Sequence, residues 1–417
     1  MTQAEDHDII IAGAGLAGAA FALAAAQGGL KVVMIDPQPF DLQLAPSFDG
    51  RSTAIAFSTF RMLDALGLGE ALRPHACRMD RILVTDGRRP GAATRPASPA
   101  FLRFDADEIG GRTGGEPLGY MVENRRIRAA LAQGVQAAGL EVLAPASVAS
   151  VDVGPGEAAV TLSDGRVLNA PLVVGAEGRQ SRVRTAAGID TVGWGYGQSG
   201  VVATVRLARD HGNVAHEYFL PGGPFAILPL TDQRASLVWT ETTRRAEALR
   251  DASDEAFHAH LLRRFGDFLG DVAVEGPRFV YPLSLSLAER LYAPRIALIG
   301  DAAHGVHPVA GQGLNMGLKD AAALAEVLTD AARLGEDIGS ETVLERYARW
   351  RRFDNAALAA GFDAFVRLFS NDIGPVRLVR NLGMAAVNRI APLRRAFMHE
   401  AGGATGDLPR LLKGERL

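Results

Sequence analysis

The sequence predicts an α/β protein: a parallel-sheet domain built from separated segments, an antiparallel sheet inserted into it, and helices at the C-terminal end. Short apolar runs closing on glycine and an acid recur at Leu172–Gly175 and Ile296–Ile299, and a related run, Asp8–Ala12, opens the chain. The first and third of these in chain order lead through glycine-rich loops into helical periodicity, as buried strands of a parallel sheet do. Between them, residues 193–285 change character to alternating, turn-bounded runs, which read as an antiparallel sheet.

Asp8–Ala12 is followed by Gly13-Ala14-Gly15-Leu16-Ala17-Gly18, an alanine-rich helix to about Gln27, and a second strand, Lys31–Ile35, ending at Asp36, 23 residues after Gly13. In a dinucleotide-binding βαβ unit Gly13 makes the tight turn, Gly15 admits a pyrophosphate, Gly18 lets helix pack on strand, and Asp36 accepts from a ribose hydroxyl. GxGxxG alone is weak; set between strand and helix, with an acid at the next strand end, it is strong. Asp49–Ala56 leads into a short helix around Thr59–Leu66, and Arg51 is either a phosphate partner or a solvated surface residue. Tyr120–Arg125 opens a helix to Ala138, with strands in Leu140–Val153 and an Asp164-Gly165 hairpin.

Leu172–Gly175 leads into Ala176-Glu177-Gly178, with Ser181 and Arg184 at helix-capping spacing. Val201–Leu207, His216–Leu220, Phe225–Leu230 and Ala235–Thr240 are the strands of the inserted sheet, and Glu255–Phe268 is a helix. Trp239 and Phe225 either line an aromatic pocket or fill the sheet–helix interface. Ile296–Ile299 then ends at Gly300-Asp301, a loop carries Pro308, Gly311 and Gly313, and Leu314, Leu318, Ala322, Ala325 and Leu328 form a helical stripe. Free N–H groups and the positive dipole end at that helix start suit an anionic or flat ligand. The small residues around Asp301, His304 and His307 mark a ligand site. Leu358, Phe362, Phe365 and Phe369 share one face of the C-terminal helices and are expected to be helix–helix core.

With 417 residues, 48% hydrophobic and 22% charged residues and a net charge of −3, the chain is an ordinary globular protein with no basic footprint for nucleic acid. Its one cysteine, Cys77, makes no internal disulfide, and no Cys/His cluster has metal-ligand spacing, so no metal is expected. The uncharged stretch Ile9–Leu30 is long enough to mimic a membrane span, but it is glycine-rich and preceded by Glu5, Asp6 and Asp8. A cytoplasmic location follows as the expectation.

GAGLAG with Asp36, VVGAEGRQSRVR and IGDAAHGVHPVAGQGLNMGLKD together resemble the single-component FAD-dependent aromatic hydroxylases, the p-hydroxybenzoate hydroxylase superfamily. HPVAGQGLN, YMVENR, LPLTDQRASLVWT and FDNAALAAGFDAFVRLFSND are similar to its ubiquinone-biosynthesis hydroxylases. The resemblance implies a discontinuous Rossmann-like FAD-binding domain (1–75, 105–185, 286–345), an inserted substrate domain (76–104, 186–285) and a C-terminal helical region (346–417). It implies FAD held by Gly13, Gly15, Gly18 and Asp36, with Leu16, Ala17 and Val148 counted among the contacts. Asp301 would lie on the ribityl–pyrophosphate side, Gly311, Gln312, Gly313, Leu314 and Asn315 would face the ring, and Arg51 and Arg125 would lie near the cofactor. Where the middle motif usually reads Asp-Gly, this chain has Glu177-Gly178, whose partner stays open between flavin and nicotinamide.

NAD(P)H would visit as co-substrate, since no second dinucleotide signature appears. The cofactor would carry the chemistry: reduced flavin and O2 give a C4a-hydroperoxide that hydroxylates a phenol ring. His304, His307 and Pro308 are the catalytic candidates, the histidines being either a general base or shapers of the loop. The expected substrate is a polyprenylated phenol. The alternatives are a small soluble phenol, an epoxidation on the same scaffold, or a non-catalytic FAD-binding subunit of a biosynthetic assembly. Arg377, Arg380, Arg389, Arg394 and Arg395 with interleaved apolar residues suit peripheral docking on the inner face of a membrane or on a ubiquinone-biosynthesis complex; the plain reading packs this arm on the cofactor domain.

Overall fold

The computed structural model describes residues 7–45, 49–86, 102–108, 115–220, 222–266, 268–306 and 312–352, with 390, 392, 394–395, 398, 402–403 and 406–417 towards the C-terminus. Its organising element is a six-stranded sheet in the order β18-β19-β12-β1-β2-β8. These strands are β1 (Ile9–Ala12), β2 (Val32–Ile35), β8 (Glu141–Leu143), β12 (Leu172–Gly175), β18 (Tyr292–Ala293) and β19 (Ile296–Leu298). All neighbours run parallel except the β18 edge. The uninterrupted Ile-Ile-Ile-Ala of β1 reflects burial on both faces: Ile9 and Ile11 enter one core, Ile10 and Ala12 the other.

One face is covered by the Leu16–Gln27 and Gln312–Arg333 helices. Alanine is the best helix former, and Ala19, Ala20, Ala22, Ala24 and Ala25 are all buried, so the sequence gains helix propensity and close approach together. The other face is covered by the meander β9 (Val148–Val153), β10 (Ala158–Leu162) and β11 (Val167–Ala170). Leu140–Val153 thus divides between two sheets.

The inserted sheet has eight strands in the order β20-β17-β13-β16-β15-β14-β5-β6. Its long members are β13 (Thr191–Leu207) and β17 (Val272–Ala288), followed by β14 (Val214–Leu220), β15 (Gly223–Leu230) and β16 (Arg234–Thr242). Two short strands, β5 (Arg81–Asp86) and β6 (Leu102–Asp105), close one edge, and β20 (His304–Gly305) closes the other. The sheet is antiparallel but for one pair: β5 lies parallel to β14, with Glu217 opposite Val84. β17 runs past the expected boundary at residue 285 to Ala288, and β20, expected in the cofactor domain, pairs with its end. The loop after Asp301 is therefore an edge strand of the inserted sheet.

A third sheet joins the two, in the order β3 (Ser52–Ala56), β7 (Gly119–Glu123), β4 (Cys77–Met79). It corrects the reading of Tyr120–Glu123 as a helix start: these residues pair with β3, and the helix begins at Asn124. The aromatic question at Trp239 is settled as core. Its ring packs on Phe225 and Phe257 beneath the Thr243–Asp251 and Asp254–Phe265 helices, and its indole N–H donates to Glu241. Leu358, Phe362, Phe365 and Phe369 lie outside the described residues. Among the described residues no helix is long and apolar enough to cross a membrane.

Candidate functional site

Because β1, β2, β12 and β19 are parallel, their carboxyl ends share one edge of the sheet, where open α/β sheets bind ligands. Ala12 pairs with Gly175 and Gly175 with Leu298, so Gly13, Ala176 and Ile299 leave the sheet side by side. Backbone bonds extend the order one residue further: Gly13 N–H donates to Ile35 O (2.7 Å), Ala176 N–H to Ala12 O (2.7 Å), and Ile299 N–H to Gly175 O (3.0 Å).

Three glycines of the first loop answer to different constraints. Gly13 has φ +101°, and a Cβ there would lie 2.5 Å from the Ala176 carbonyl oxygen. A Cβ on Gly18 would lie 1.9 Å from the Gly13 oxygen. Among the described residues, one on Gly15 would meet nothing within 4 Å, so no described neighbour explains that glycine. Gly15 opens the Leu16–Gln27 helix without a side-chain cap or a first-turn acid, leaving its N–H groups and positive dipole end facing outward. Leu16 packs partly on the core, while Ala17 is the contact between the two loops: a Cβ built on Gly300 would come within 3.1 Å of its methyl carbon.

Asp36 ends β2 under this loop. Its Oδ2 accepts from Ala14 N–H (2.8 Å) and its Oδ1 from Gln38 N–H (2.8 Å); burial raises its pKa against the pull of those bonds. Beside it is a cluster that the sequence reading missed. Asp49, nearly buried, takes Arg51 through two oxygens (2.8 and 2.9 Å), Arg128 at 3.0 Å, Asn124 at 3.2 Å and the Tyr281 hydroxyl at 3.4 Å. Burial would raise the Asp49 pKa, but the Arg51 hydrogen bond and charge outweigh it and hold it low. Arg51 lies over the Tyr281 ring at 4.9 Å and within the field of Asp301; Arg128 lies within the field of Asp36. Arg125 donates instead to Glu123 at 2.9 Å.

In the third motif Asp301 is half-exposed on a 3-10 turn, 3.6 Å from Arg179 Nε. Arg179 also donates to Ser284 and to the Val306 carbonyl, tying the middle motif to the third. Gly313 and Leu314 are partly exposed at the start of the Gln312–Arg333 helix, and nothing acidic sits in its first turn. Asn315 is turned inward: its Oδ1 accepts from Ala56 N–H (2.9 Å) and its Nδ2 donates to Ala54 O (2.7 Å), pinning the helix to β3.

Three of the expected site residues are turned into the chain. His304 is 1% exposed, and its Nε2 is engaged by Asp320, which also accepts from Gly300 N–H (3.1 Å) and Arg351 (2.8 Å). It shapes the loop from below and is not placed as a general base. Glu177 Oε2 accepts from Ser181 Oγ (2.6 Å) and Val183 N–H (3.1 Å), capping the Arg182–Ala186 helix. Its longer side chain is folded back into the chain instead of reaching out from the edge. Val148 buries its side chain in the core under the meander, and its carbonyl accepts from Arg182 (2.8 Å). His307, Pro308 and Gly311 lie outside the described residues, as does the side chain of Gln312. Among the described residues no group of His, Cys, Asp and Glu could hold a metal ion. Cys77 is buried, with its thiol pushed up to about 12 by burial.

A parallel sheet ending in an acid-anchored glycine loop, with a second glycine loop beside it and a large sheet alongside, is that of a dinucleotide-binding enzyme. Residues 6–359 match the family described as FAD binding domain. The chain is 46% identical to ubiquinone hydroxylase UbiL of Rhodospirillum rubrum over 98% of its length and 92% of the relative's. It is 36% identical to 3-demethoxyubiquinol 3-hydroxylase of Escherichia coli (95% and 98% covered) and 32% identical to the human ubiquinone biosynthesis monooxygenase COQ6, mitochondrial (94% and 92%). In fold it is similar to p-nitrophenol 4-monooxygenase PnpA from Pseudomonas putida, with a TM-score of 0.77, 19% identity and 99% of both chains covered. The chain belongs to the FAD-dependent hydroxylase family of ubiquinone biosynthesis. The residues present fit FAD: Gly15 faces open space, two helix starts lack a negative charge, and carboxylates end β2 and follow β19.

Proposed function

We propose that this chain hydroxylates the aromatic ring of a polyprenylated phenol on the way to ubiquinone, using NAD(P)H and O2. The observation that carries the reading is the single edge on which Gly15, Asp36, Asp301 and the Gln312–Arg333 helix start converge, beside the inserted sheet. Asp36 and the Gly13–Gly18 loop would hold the adenosine and pyrophosphate, with Arg51 and Arg128 oriented by Asp49. Asp301 would take a ribityl hydroxyl, and the helix start near Gly313 would stabilise negative charge on the ring. Bound FAD, reduced by the nicotinamide, supplies the oxygen activation. The protein's part is to hold the phenol ring in line, to exclude water, and to fix those charges in advance. The test is purified protein with NAD(P)H, O2 and a prenylated phenol: the expected product is heavier by one oxygen atom. Absence of product, with NAD(P)H consumption unresponsive to any phenol, overturns the reading.

A polyprenyl tail places such a substrate in a bilayer, and we infer peripheral docking through the basic C-terminal arm. Of its residues, Ile390 is half-exposed and Arg395 exposed, whereas Arg394 pairs with Glu108 (2.7 Å) and Met398 is buried against the body. Wild-type protein is expected to sediment with anionic vesicles at low salt; failure to do so rules out direct lipid docking.

A further inference from the structure

One face of β14 looks toward the Thr243–Phe265 helical layer and the other toward the cofactor-binding module. His216 and Tyr218 take the first: the His216 ring meets Phe268 at 5.0 Å, and Tyr218 packs with Phe225. Ala215 takes the second, against Met79 and Met121 of the joining sheet. Strand alternation puts Glu217 on the Ala215 side. Pairing registers then set Glu217 in one row across the sheet with Val84, Ala226, Val238, Val202 and Phe279. Phe279, at the far end, lies against Gly50, where an added Cβ would be 2.0 Å from its ring. In the next row Tyr281 reaches Asp49 and underlies Arg51. An apolar floor therefore runs from the Asp49–Arg51 cluster to Glu217, four strand spacings or roughly 19 Å long. That length matches a ring bearing an apolar chain.

Glu217 is the only polar residue in this row. Among the described residues no donor or cation is paired with its carboxyl. It is packed round as densely as an interior group and still keeps accessible surface, as a side chain lining a recess does. An unpartnered carboxyl in a crowded apolar recess is poorly solvated as the anion, and the neutral acid is the form such surroundings favour. Burial alone pushes this one to about 8. A neutral carboxyl offers one O–H donor and one carbonyl acceptor, which complements a phenol hydroxyl, itself both donor and acceptor.

We propose that Glu217 is a substrate-binding residue whose carboxyl hydrogen-bonds the ring hydroxyl of a phenol lying on this apolar floor. The proposal deepens the function given above and rests on it. The opposite faces of the strand divide the work: His216 and Tyr218 secure the sheet to its helices, and Glu217 selects among apolar ligands by the one group that distinguishes them. An analogue without the hydroxyl would leave the carboxyl unpaired again, which is the source of discrimination.

The test uses the full chain carrying FAD and two probes, a phenol with a single prenyl chain and the same molecule with hydrogen in place of the hydroxyl. Dissociation constants are read from the flavin spectrum during titration. Wild type is expected to prefer the phenol by about five- to tenfold, the value of one neutral hydrogen bond. Glu217→Leu is expected to lose that preference while binding the deoxy probe at least as well, and Glu217→Gln, which retains donor and acceptor, to keep it. A Glu217→Leu protein with the wild-type preference overturns the proposal, as does a wild type that treats the two probes alike while hydroxylating the phenol. A wild type that binds neither probe and hydroxylates no prenylated phenol fells the proposed function, and this inference with it.

Discussion

The two glycine-rich loops at the carboxyl edge of the six-stranded sheet do the same job by different means. Each leaves a parallel strand, turns, and starts a helix with no acidic residue in its first turn. The Gly13–Gly18 loop is fixed by shape: no side chain caps its helix, and two of its glycines sit where a single added carbon would strike backbone. The loop after β19 is fixed by charge. Asp320, fully buried just over two turns into the following helix, reaches back to Gly300 N–H and engages His304 and Arg351. The first loop, which Asp36 anchors at the single point of Ala14 N–H, is limited chiefly by volume, and the second chiefly by the charge state of its buried cluster.

The largest effect expected from this difference is at Asp320. Asp320→Asn keeps the volume and removes the charge opposite Arg351 and His304, and breaking a buried pair this way costs about 3–5 kcal/mol. Burial works against the Asp320 carboxylate, but His304 and Arg351 overcome it and hold its pKa at about 2. Stability from that depression is present above the ordinary value of 3.8 and is lost as pH falls from there toward about 2. His304 is shifted upward by Asp320 despite its burial, so its share is present below 6.5 and is lost as pH rises through its raised value. Melting curves across pH should fall at both ends more steeply for wild type than for Asp320→Asn. Parallel profiles would mean that the cluster does not hold the loop.

Gly18→Ala is the matching blow to the other loop. The new carbon collides with the Gly13 carbonyl, which belongs to backbone and has little room to yield, so a loss of about 3 kcal/mol is expected, with no pH dependence of its own. Gly15→Ala is its control. With nothing to strike among the described residues, it should melt like wild type and lose FAD affinity. Retained FAD in that variant would remove the pyrophosphate from its assigned place.

The contrast also explains what could be read without a structure. The first loop was legible because its constraints are local: glycine spacing and an acid at the next strand end follow from backbone geometry. In the second, the stripe of the Gln312–Arg333 helix was legible, but the inward turn of His304 was not, since it depends on Asp320 and Arg351. The available signal was Lys319-Asp320, a charged pair within the otherwise small and apolar run Leu318–Ala325. Asp49 was hidden in the same way, its partners coming from residues 51, 124, 128 and 281. Tyr120–Glu123 was misread because its strand partner, Ser52–Ala56, lies far off in sequence. Glu217 was covered by an alternating strand pattern that tells which residues share a face but not which face meets the cofactor.

Asp301 tests whether the charge-held loop also meets the ligand. Its carboxylate is half-exposed and only 3.6 Å from Arg179, a surface pair worth little to the fold. Asp301→Ala is therefore expected to melt within about 1 kcal/mol of wild type. Its loss should appear in FAD binding, about 2 kcal/mol or some thirtyfold in dissociation constant, the value of a hydrogen bond to a charged group. Full flavin occupancy at limiting FAD would take Asp301 out of the cofactor site.

The smallest effect on stability, and the sharpest on chemistry, is expected at Gly313. It starts the helix of the charge-held loop, yet it resembles Gly15 of the other: a Cβ there meets only the Val306 Cγ2 atom, at an ordinary 3.6 Å. The described chain thus gives no steric reason for a glycine, and valine is slightly the better helix former. Gly313→Val should keep its melting temperature to within about 0.5 kcal/mol in stability. If the open space is where the flavin ring lies, the branched side chain crowds the ring edge and spoils the alignment of cofactor and phenol. Product formed per NAD(P)H consumed should then fall well below the wild-type ratio while FAD stays bound. A variant that melts, binds FAD and couples like wild type would show that this helix start faces away from the ring, and the likeness between Gly313 and Gly15 would be one of sequence alone.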